Sequence, residues 1–106
     1  MNIVFVLFDN VTQLDFTGPV QFLSRLPGAD VHVVSKTGAA VTTDSGFSIL
    51  PRSSFEDCPQ ADIICVPGGH GVRDAIAGVA RLVGMVVCVV SDVGFARYPC
   101  FVVVRV

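Results

Sequence analysis

Two nearly continuous apolar runs constrain the fold of this chain more than any other feature. Residues 2–8 are rich in β-branched and aromatic side chains, and residues 61–66 have a similar character. Apolar runs without alternation are typical of strands that are covered on both faces, as in parallel sheets. We therefore predict two buried strands here, with a third, short strand at residues 31–35 between them.

A helix is predicted between the first two strands. Residues 15–19 combine a carboxylate, small or hydroxyl side chains suited to a cap, and a proline suited to the first helical position, so the helix should run from there to about Leu26. Phe16, Val20 and Leu23 recur at helical spacing and give it one apolar face. A strand, a helix and a second strand in this order indicate an α/β fold with a parallel, doubly wound sheet.

The segments after the second strand predict smaller elements. Residues 40–43 and 47–50 flank an Asp-Ser-Gly turn and should form a hairpin at the sheet edge. Residues 53–57 favour a short helical turn, and a further helix can start within residues 71–77. From residue 79 onward eleven of 28 residues are valine, and periodicity is lost, although residues 86–90 and 101–106 could be strands.

Composition excludes several classes of function. The 106 residues carry a net charge of −2, with Lys36 as the only lysine, so no basic surface is available for direct nucleic-acid binding. No apolar stretch approaches the length of a membrane-spanning helix, and the first residues read as a strand, so we expect a cytoplasmic protein. Four cysteines without a CxxC pair and two histidines favour free thiols and predict neither a metal site nor a cofactor.

Two features lie beyond the carboxyl ends of predicted strands, where doubly wound sheets bind ligands. The first is the loop Gly68-Gly69-His70, whose backbone N–H groups can face an anion or a developing negative charge. The second is Asp15. Simpler interpretations also exist, because Asp15 can cap the helix, the double glycine can form a tight turn, and His70 can be merely exposed. His32, within a strand, is interpreted as structural.

Four segments also carry a family resemblance: FVLFD at residues 5–9, QLDFTGP at 13–19, DCP at 57–59 and DIICVPGGHGV at 62–72. Together they resemble the DJ-1/PfpI superfamily, and within it the isonitrile hydratase branch. The resemblance implies a flavodoxin-like parallel sheet sandwiched by helices, present here in incomplete form, and a homodimer when complete. It covers residues 1–77, and the tail at 78–106 does not match the family pattern.

The resemblance also implies a chemistry, the hydration of an isonitrile to an N-substituted formamide by a cysteine nucleophile. Asp15 would be the acid partner, and Gly68, Gly69 and His70 would bind the substrate and stabilise negative charge. The family places its cysteine on a sharp turn in a Cys–small–Gly sequence. Cys100 is the candidate by position, but Pro99 precedes it and the turn sequence is absent, so we expect little or no activity from the chain as written.

Two other functional hypotheses stay open. One is a non-catalytic ligand-sensing domain of the kind found in transcription regulators of the same superfamily. The other is a fragment that folds poorly alone, because a partial parallel sheet leaves an unpaired edge. A shift of the reading frame near residue 78, followed by an early stop, would explain both the end of the resemblance and the valine-rich tail.

Overall fold

The computed structural model describes residues 1–69 and two later strands, 87–91 and 100–104, with side chains described for residues 1–69. The chain is built from eight strands and one helix within these ranges. They are β1 (Asn2–Leu7), α1 (Gln13–Leu23), β2 (Asp30–Ser35), β3 (Val41–Thr42), β4 (Ser48–Ile49), β5 (Ser53–Ser54), β6 (Ile63–Val66), β7 (Val87–Ser91) and β8 (Cys100–Val104).

Strand β1 lies inside a six-stranded sheet of order β5-β2-β1-β6-β8-β7. It pairs in parallel with β2 along its whole length and with β6 on its other side. Strand β5 also pairs in parallel with β2, so four neighbouring strands are parallel. This arrangement confirms the predicted α/β fold and its β–α–β unit. Strands β8 and β7 continue the sheet in antiparallel orientation.

Strands β1 and β6 are buried on both faces, as their unbroken apolar sequences require. Helix α1 covers one face, where Phe16 packs edge-on against Phe5 with ring centroids 5.9 Å apart. Val20, Leu23 and Leu26 pack against the same cluster, which confirms the predicted apolar side of the helix. The opposite face carries the buried residues Val4, Val6, Val34, Ile64 and Val66.

The start of α1 corrects the sequence prediction. The helix begins at Gln13, with Thr12 as its N-cap, and Pro19 lies inside it instead of at its first position. The earlier start follows from a tertiary contact, because the Thr12 N–H donates to the Gly68 carbonyl (2.8 Å) and fixes where the chain turns into the helix. Proline has no N–H, so the Asp15 carbonyl lacks its usual helical donor at Pro19.

Two further elements differ from expectation. The predicted hairpin forms, but β3 and β4 make a separate two-stranded sheet, and the edge of the main sheet is β5. Ser53 and Ser54 are this edge strand, followed by a turn, instead of the start of a helical turn. The strand forms because Ser53 and Ser54 pair with Val34 and Ser35 of β2. In a helical turn the backbone groups at this edge of β2 would have no such partners. The helix predicted within residues 71–77 lies outside the described residues.

Within the described part of the chain, no helix has both the length and the apolar character needed to cross a membrane.

Candidate functional site

Three loops meet at the carboxyl edge of the parallel sheet. They are residues 8–12 after β1, residues 67–69 after β6, and the turn between β3 and β4. Backbone hydrogen bonds join the first loop to the hairpin: the Asn10 N–H donates to the Thr42 carbonyl (2.7 Å), and the Asp44 N–H donates to the Val11 carbonyl (3.0 Å). The junction therefore holds segments that are distant in sequence in a fixed arrangement.

Gly69 is a glycine because the backbone of the first loop lies directly against it. Its φ of +145° is one that other residues rarely adopt, and a Cβ here would come within 2.5 Å of the Asn10 carbonyl oxygen. Val11 forms an isolated antiparallel bridge with Gly69 at the same point. The double glycine thus has a structural role in packing two loops together, in addition to any role in binding.

Asp15 occupies the first turn of α1 and lies beside the glycine loop. Its Oδ2 atom is shielded from solvent and has no hydrogen-bond partner within residues 1–69. Burial raises the pKa of this carboxyl above its ordinary value, the Gly68 backbone N–H opposes that rise, and the negative charge of Asp44 adds to it. Asp15 therefore keeps its proton to a higher pH than an ordinary aspartate, as a proton donor should.

Asp44 is a member of the site that the sequence did not reveal. The Thr12 hydroxyl donates to its Oδ2 atom (3.0 Å), across 32 positions of sequence. In the sequence this aspartate is fully explained by the Asp-Ser-Gly turn, so its type and position give no sign of a second role. Only the packing of the hairpin against the first loop brings its charge to Asp15.

The cysteines fall into different environments. Cys65 is buried in the core on β6. Cys58 lies on the loop before β6 and lines a cavity of about 290 Å³ together with Val4 and Ile64. Its thiol donates to the Phe55 carbonyl (3.2 Å), and burial, with help from the charge of Asp57, raises its pKa. Cys58 is thereby kept in the unreactive thiol form.

Cys100 begins strand β8. Because β8 pairs antiparallel to β6 with Phe101 opposite Val66, Cys100 lies at the carboxyl end of β6, where the glycine loop starts. Its backbone is part of a strand, in register with Ser91 of β7, and not of a strand-to-helix turn. The register thus brings Cys100 to the same sheet edge as Gly68 and Asp15.

His32 is not part of the described junction. His70 lies outside the described residues. His32 is on β2, with its Nε2 atom 3.2 Å from the Asp30 carboxylate. Among the side chains of residues 1–69, no group of three or more histidine, cysteine or acidic residues is arranged to hold a metal ion.

A parallel α/β sheet with a carboxylic acid and a glycine loop at its carboxyl edge defines a flavodoxin-like class of protein. The chain belongs to the DJ-1/PfpI family, whose sequence model matches residues 1–94. This match extends beyond residue 77, where the motif resemblance ends.

Two individual proteins of known sequence agree with this assignment. The chain is 50% identical over 72 residues to isonitrile hydratase from Pseudomonas putida, a match that covers 68% of this chain and 32% of that protein. It is 27% identical over 81 residues to the HTH-type transcriptional regulator GbdR from Pseudomonas aeruginosa, covering 71% of this chain and 22% of the regulator.

A solved structure agrees as well. A THiJ/PfpI family protein from Pseudomonas syringae superposes with a TM-score of 0.61 and 32% identity, covering 64% of this chain and 28% of that one. The chain therefore spans about a third or less of the length of these relatives.

Proposed function

We propose that this chain corresponds to the amino-terminal part of an isonitrile hydratase-like enzyme and supplies its acid partner, Asp15. The observation that carries the proposal is the environment of Asp15, a proton-retaining carboxyl beside the Gly68 N–H. This environment lies within a segment that is 50% identical to an isonitrile hydratase. A cytoplasmic location and a homodimer belong to the same proposal.

The proposed reaction uses a thiolate, a carboxylic acid and water. The cysteine sulfur bonds to the isonitrile carbon, and Asp15 transfers its proton to that carbon, which gives a thioimidate. Water then adds across the carbon–nitrogen double bond, its oxygen to carbon and a proton to nitrogen. The carbon–sulfur bond breaks as the hydroxyl proton returns to Asp15, which releases the N-substituted formamide and regenerates the thiolate and the acid. Gly68, Gly69 and His70 would bind the substrate, and the backbone N–H groups around Gly69 and His70 would stabilise the negative charge that develops on it.

Cys100 is the proposed nucleophile. Its register at the carboxyl end of β6 supports this role, since the reacting sulfur has to be near Asp15. The flanking Pro99 and Phe101 differ from the small residues of the family's sharp turn. We accordingly expect formamide production by the 106-residue chain to be close to the uncatalysed rate.

The decisive experiment tests Asp15 in an enzyme whose later part is complete. Residues 1–69 of this chain replace the matching segment of P. putida isonitrile hydratase, and formamide production from cyclohexyl isocyanide is measured. The chimera should be active, and Asp15→Asn should reduce its kcat by about 100-fold or more, in line with the usual contribution of acid–base catalysis. Asp57→Asn is the control and should leave the rate unchanged.

The proposal fails if the folded chimera turns over isonitrile equally well with asparagine at position 15. In the unmodified chain, Cys100→Ser and Cys58→Ser are compared by mass spectrometry after exposure to the isonitrile. An adduct that Cys58→Ser removes and Cys100→Ser leaves in place would contradict the choice of nucleophile.

A ligand-sensing role is the alternative, and the similarity to GbdR favours it. In that case the site would bind a small molecule without converting it. An inactive, folded chimera, together with saturable binding of cyclohexyl isocyanide to the unmodified chain, would support the sensing role over the enzymatic one.

A further inference from the structure

We propose that Asp44, on the turn between β3 and β4, is a positioning residue for the acid of the site. Its negative charge, held in place through Thr12, keeps the proton on Asp15. Thr12 hydrogen-bonds to both aspartates and so places Asp44 at the N-cap of α1, and the catalytic consequence rests on the proposed function.

Thr12 is the link between the two aspartates. Its N–H donates to the Gly68 carbonyl (2.8 Å), and its carbonyl accepts from the Asp15 N–H (3.1 Å). Its hydroxyl is not used to cap α1, although Thr12 is the N-cap residue, and donates to Asp44 Oδ2 instead (3.0 Å). An N-cap hydroxyl normally accepts a hydrogen bond from a free N–H of the first helical turn. The Thr12 hydroxyl instead holds the Asp44 carboxylate in place.

The position of Asp44 is fixed from several sides. Its own N–H donates to the Val11 carbonyl (3.0 Å), and Val11 also forms an isolated parallel bridge with Thr43. The Ser45 hydroxyl approaches the second carboxylate oxygen at 3.3 Å. Among residues 1–69 the side-chain donors to this carboxylate are neutral hydroxyl groups, so these contacts orient its charge without cancelling it.

The groups around Asp15 act in opposite directions. The N-terminal turn of α1 and the Gly68 N–H favour the carboxylate, whereas burial and Asp44 favour the neutral acid. Asp9, the other acid of the first loop, accepts a hydrogen bond from the Thr42 N–H (3.0 Å) and ties that loop to the hairpin. Asp44 is therefore the charge whose removal should shift the balance toward an ionised Asp15.

The test is a ¹³C NMR titration of the Asp15 carboxyl in the full chain, which needs no substrate. Asp44→Asn keeps an oxygen that can accept from Thr12 and removes only the charge, so the Asp15 midpoint should move to lower pH. Thr12→Val should move it in the same direction by a smaller amount, because Asp44 is then less tightly held, and Thr12→Ser should leave it unchanged.

Asp57→Asn is the matched control, since Asp57 also accepts from a nearby hydroxyl, that of Ser54, at 3.1 Å. An Asp15 midpoint that is the same in Asp44→Asn as in Asp57→Asn overturns the proposal. If Asp44→Asn lowers the midpoint but the chimera makes no formamide, Asp44 retains this role and the proposed enzymatic function fails. In an active chimera, Asp44→Asn should shift the fall in kcat to lower pH with little change in KM.

Discussion

Asp15 keeps its proton to a higher pH than an ordinary aspartate because of where its side chain lies, and the same environment costs the protein stability once that proton is lost. A carboxylate whose Oδ2 atom is shielded from water and which is repelled by the negative charge of Asp44 is disfavoured relative to its form in the unfolded chain. Residues tuned for chemistry often carry such a cost.

Asp15→Asn should therefore stabilise the folded protein at neutral pH. The pKa of Asp15 is raised in the folded state, so its favourable contribution is fully present below the ordinary value of 3.8 and is lost as pH rises through the raised value. The gain should stay below about 1 kcal/mol because part of the side chain is accessible to solvent. Thermal unfolding from pH 3 to 8 measures it, and a gain that is equally large at pH 3 would contradict this account.

Gly69 and Gly18 should respond to alanine in opposite ways. At Gly69 the positive φ and the Asn10 carbonyl oxygen oppose a Cβ, so Gly69→Ala should cost about 2–4 kcal/mol. Gly18 lies in α1, and no atom is within 4 Å of the position that a Cβ would take, so Gly18→Ala should stabilise by about 0.5–1 kcal/mol. Urea unfolding compares the two, and a neutral Gly69→Ala would show that the loops can separate without cost.

Helix α1 is fixed to the sheet through Phe16, its most deeply buried side chain, together with Val20 and Leu23. Phe16 is the one fully buried residue of this helix, whereas Phe22 on the same helix is 72% exposed. Because Asp15 precedes Phe16 directly, the packing of this aromatic ring also sets the position of the acid. The packing of Phe16 thus both holds α1 against the sheet and fixes the position of Asp15.

Phe16→Ala should destabilise the protein by about 3–4 kcal/mol, since it removes the edge-on contact with Phe5 and leaves a cavity. Phe22→Ala, the same change at an exposed position of the same helix, should stay within about 0.5 kcal/mol of the parent chain. Equal losses of unfolding free energy in the two variants would mean that α1 does not pack on the sheet as described.

At the scale of the whole molecule, the exposed apolar side chains of α1 offer a surface for the proposed homodimer. Leu14, Gly18 and Phe22 recur every four residues on the outer side of α1, and Leu14 and Phe22 are 62% and 72% exposed. A glycine between two large apolar residues lets a second helix approach closely. This surface is suited to a second copy of the chain, in keeping with the proposed homodimer.

A Leu14→Ser, Phe22→Ser double variant should accordingly dissociate more readily than the parent chain. Sedimentation velocity over a range of concentrations should show about tenfold weaker association or more, the equivalent of about 1.4 kcal/mol. Gln21→Ala, also exposed on α1, should leave the association unchanged. If the double variant associates as strongly as the parent chain, the copies associate through another surface.

Three of the four parallel strands, the apolar side of α1 and the family can be predicted from the sequence, because burial patterns and glycine loops are local properties of the chain; the sequence of the fourth strand, β5, favours a helical turn instead. The boundary at residue 77 stays a prediction, as do the roles of Cys100 and His70. The sequence predicts the β3–β4 hairpin, but it does not predict that the hairpin is separate from the main sheet. Which sheet a strand joins depends on the backbone groups with which it forms hydrogen bonds.

The sequence by itself determined the parallel core and placed Asp15 and Gly68 at the ends of neighbouring strands. Tertiary structure alone decided that α1 starts at Gln13 and that Asp44 accepts a hydrogen bond from Thr12. The physical reason is that these features depend on hydrogen bonds and charges between residues far apart in the chain, such as Thr12 with Gly68 and Thr12 with Asp44. No local pattern of residue types encodes such distances, so they emerge only when the three loops come together at the sheet edge.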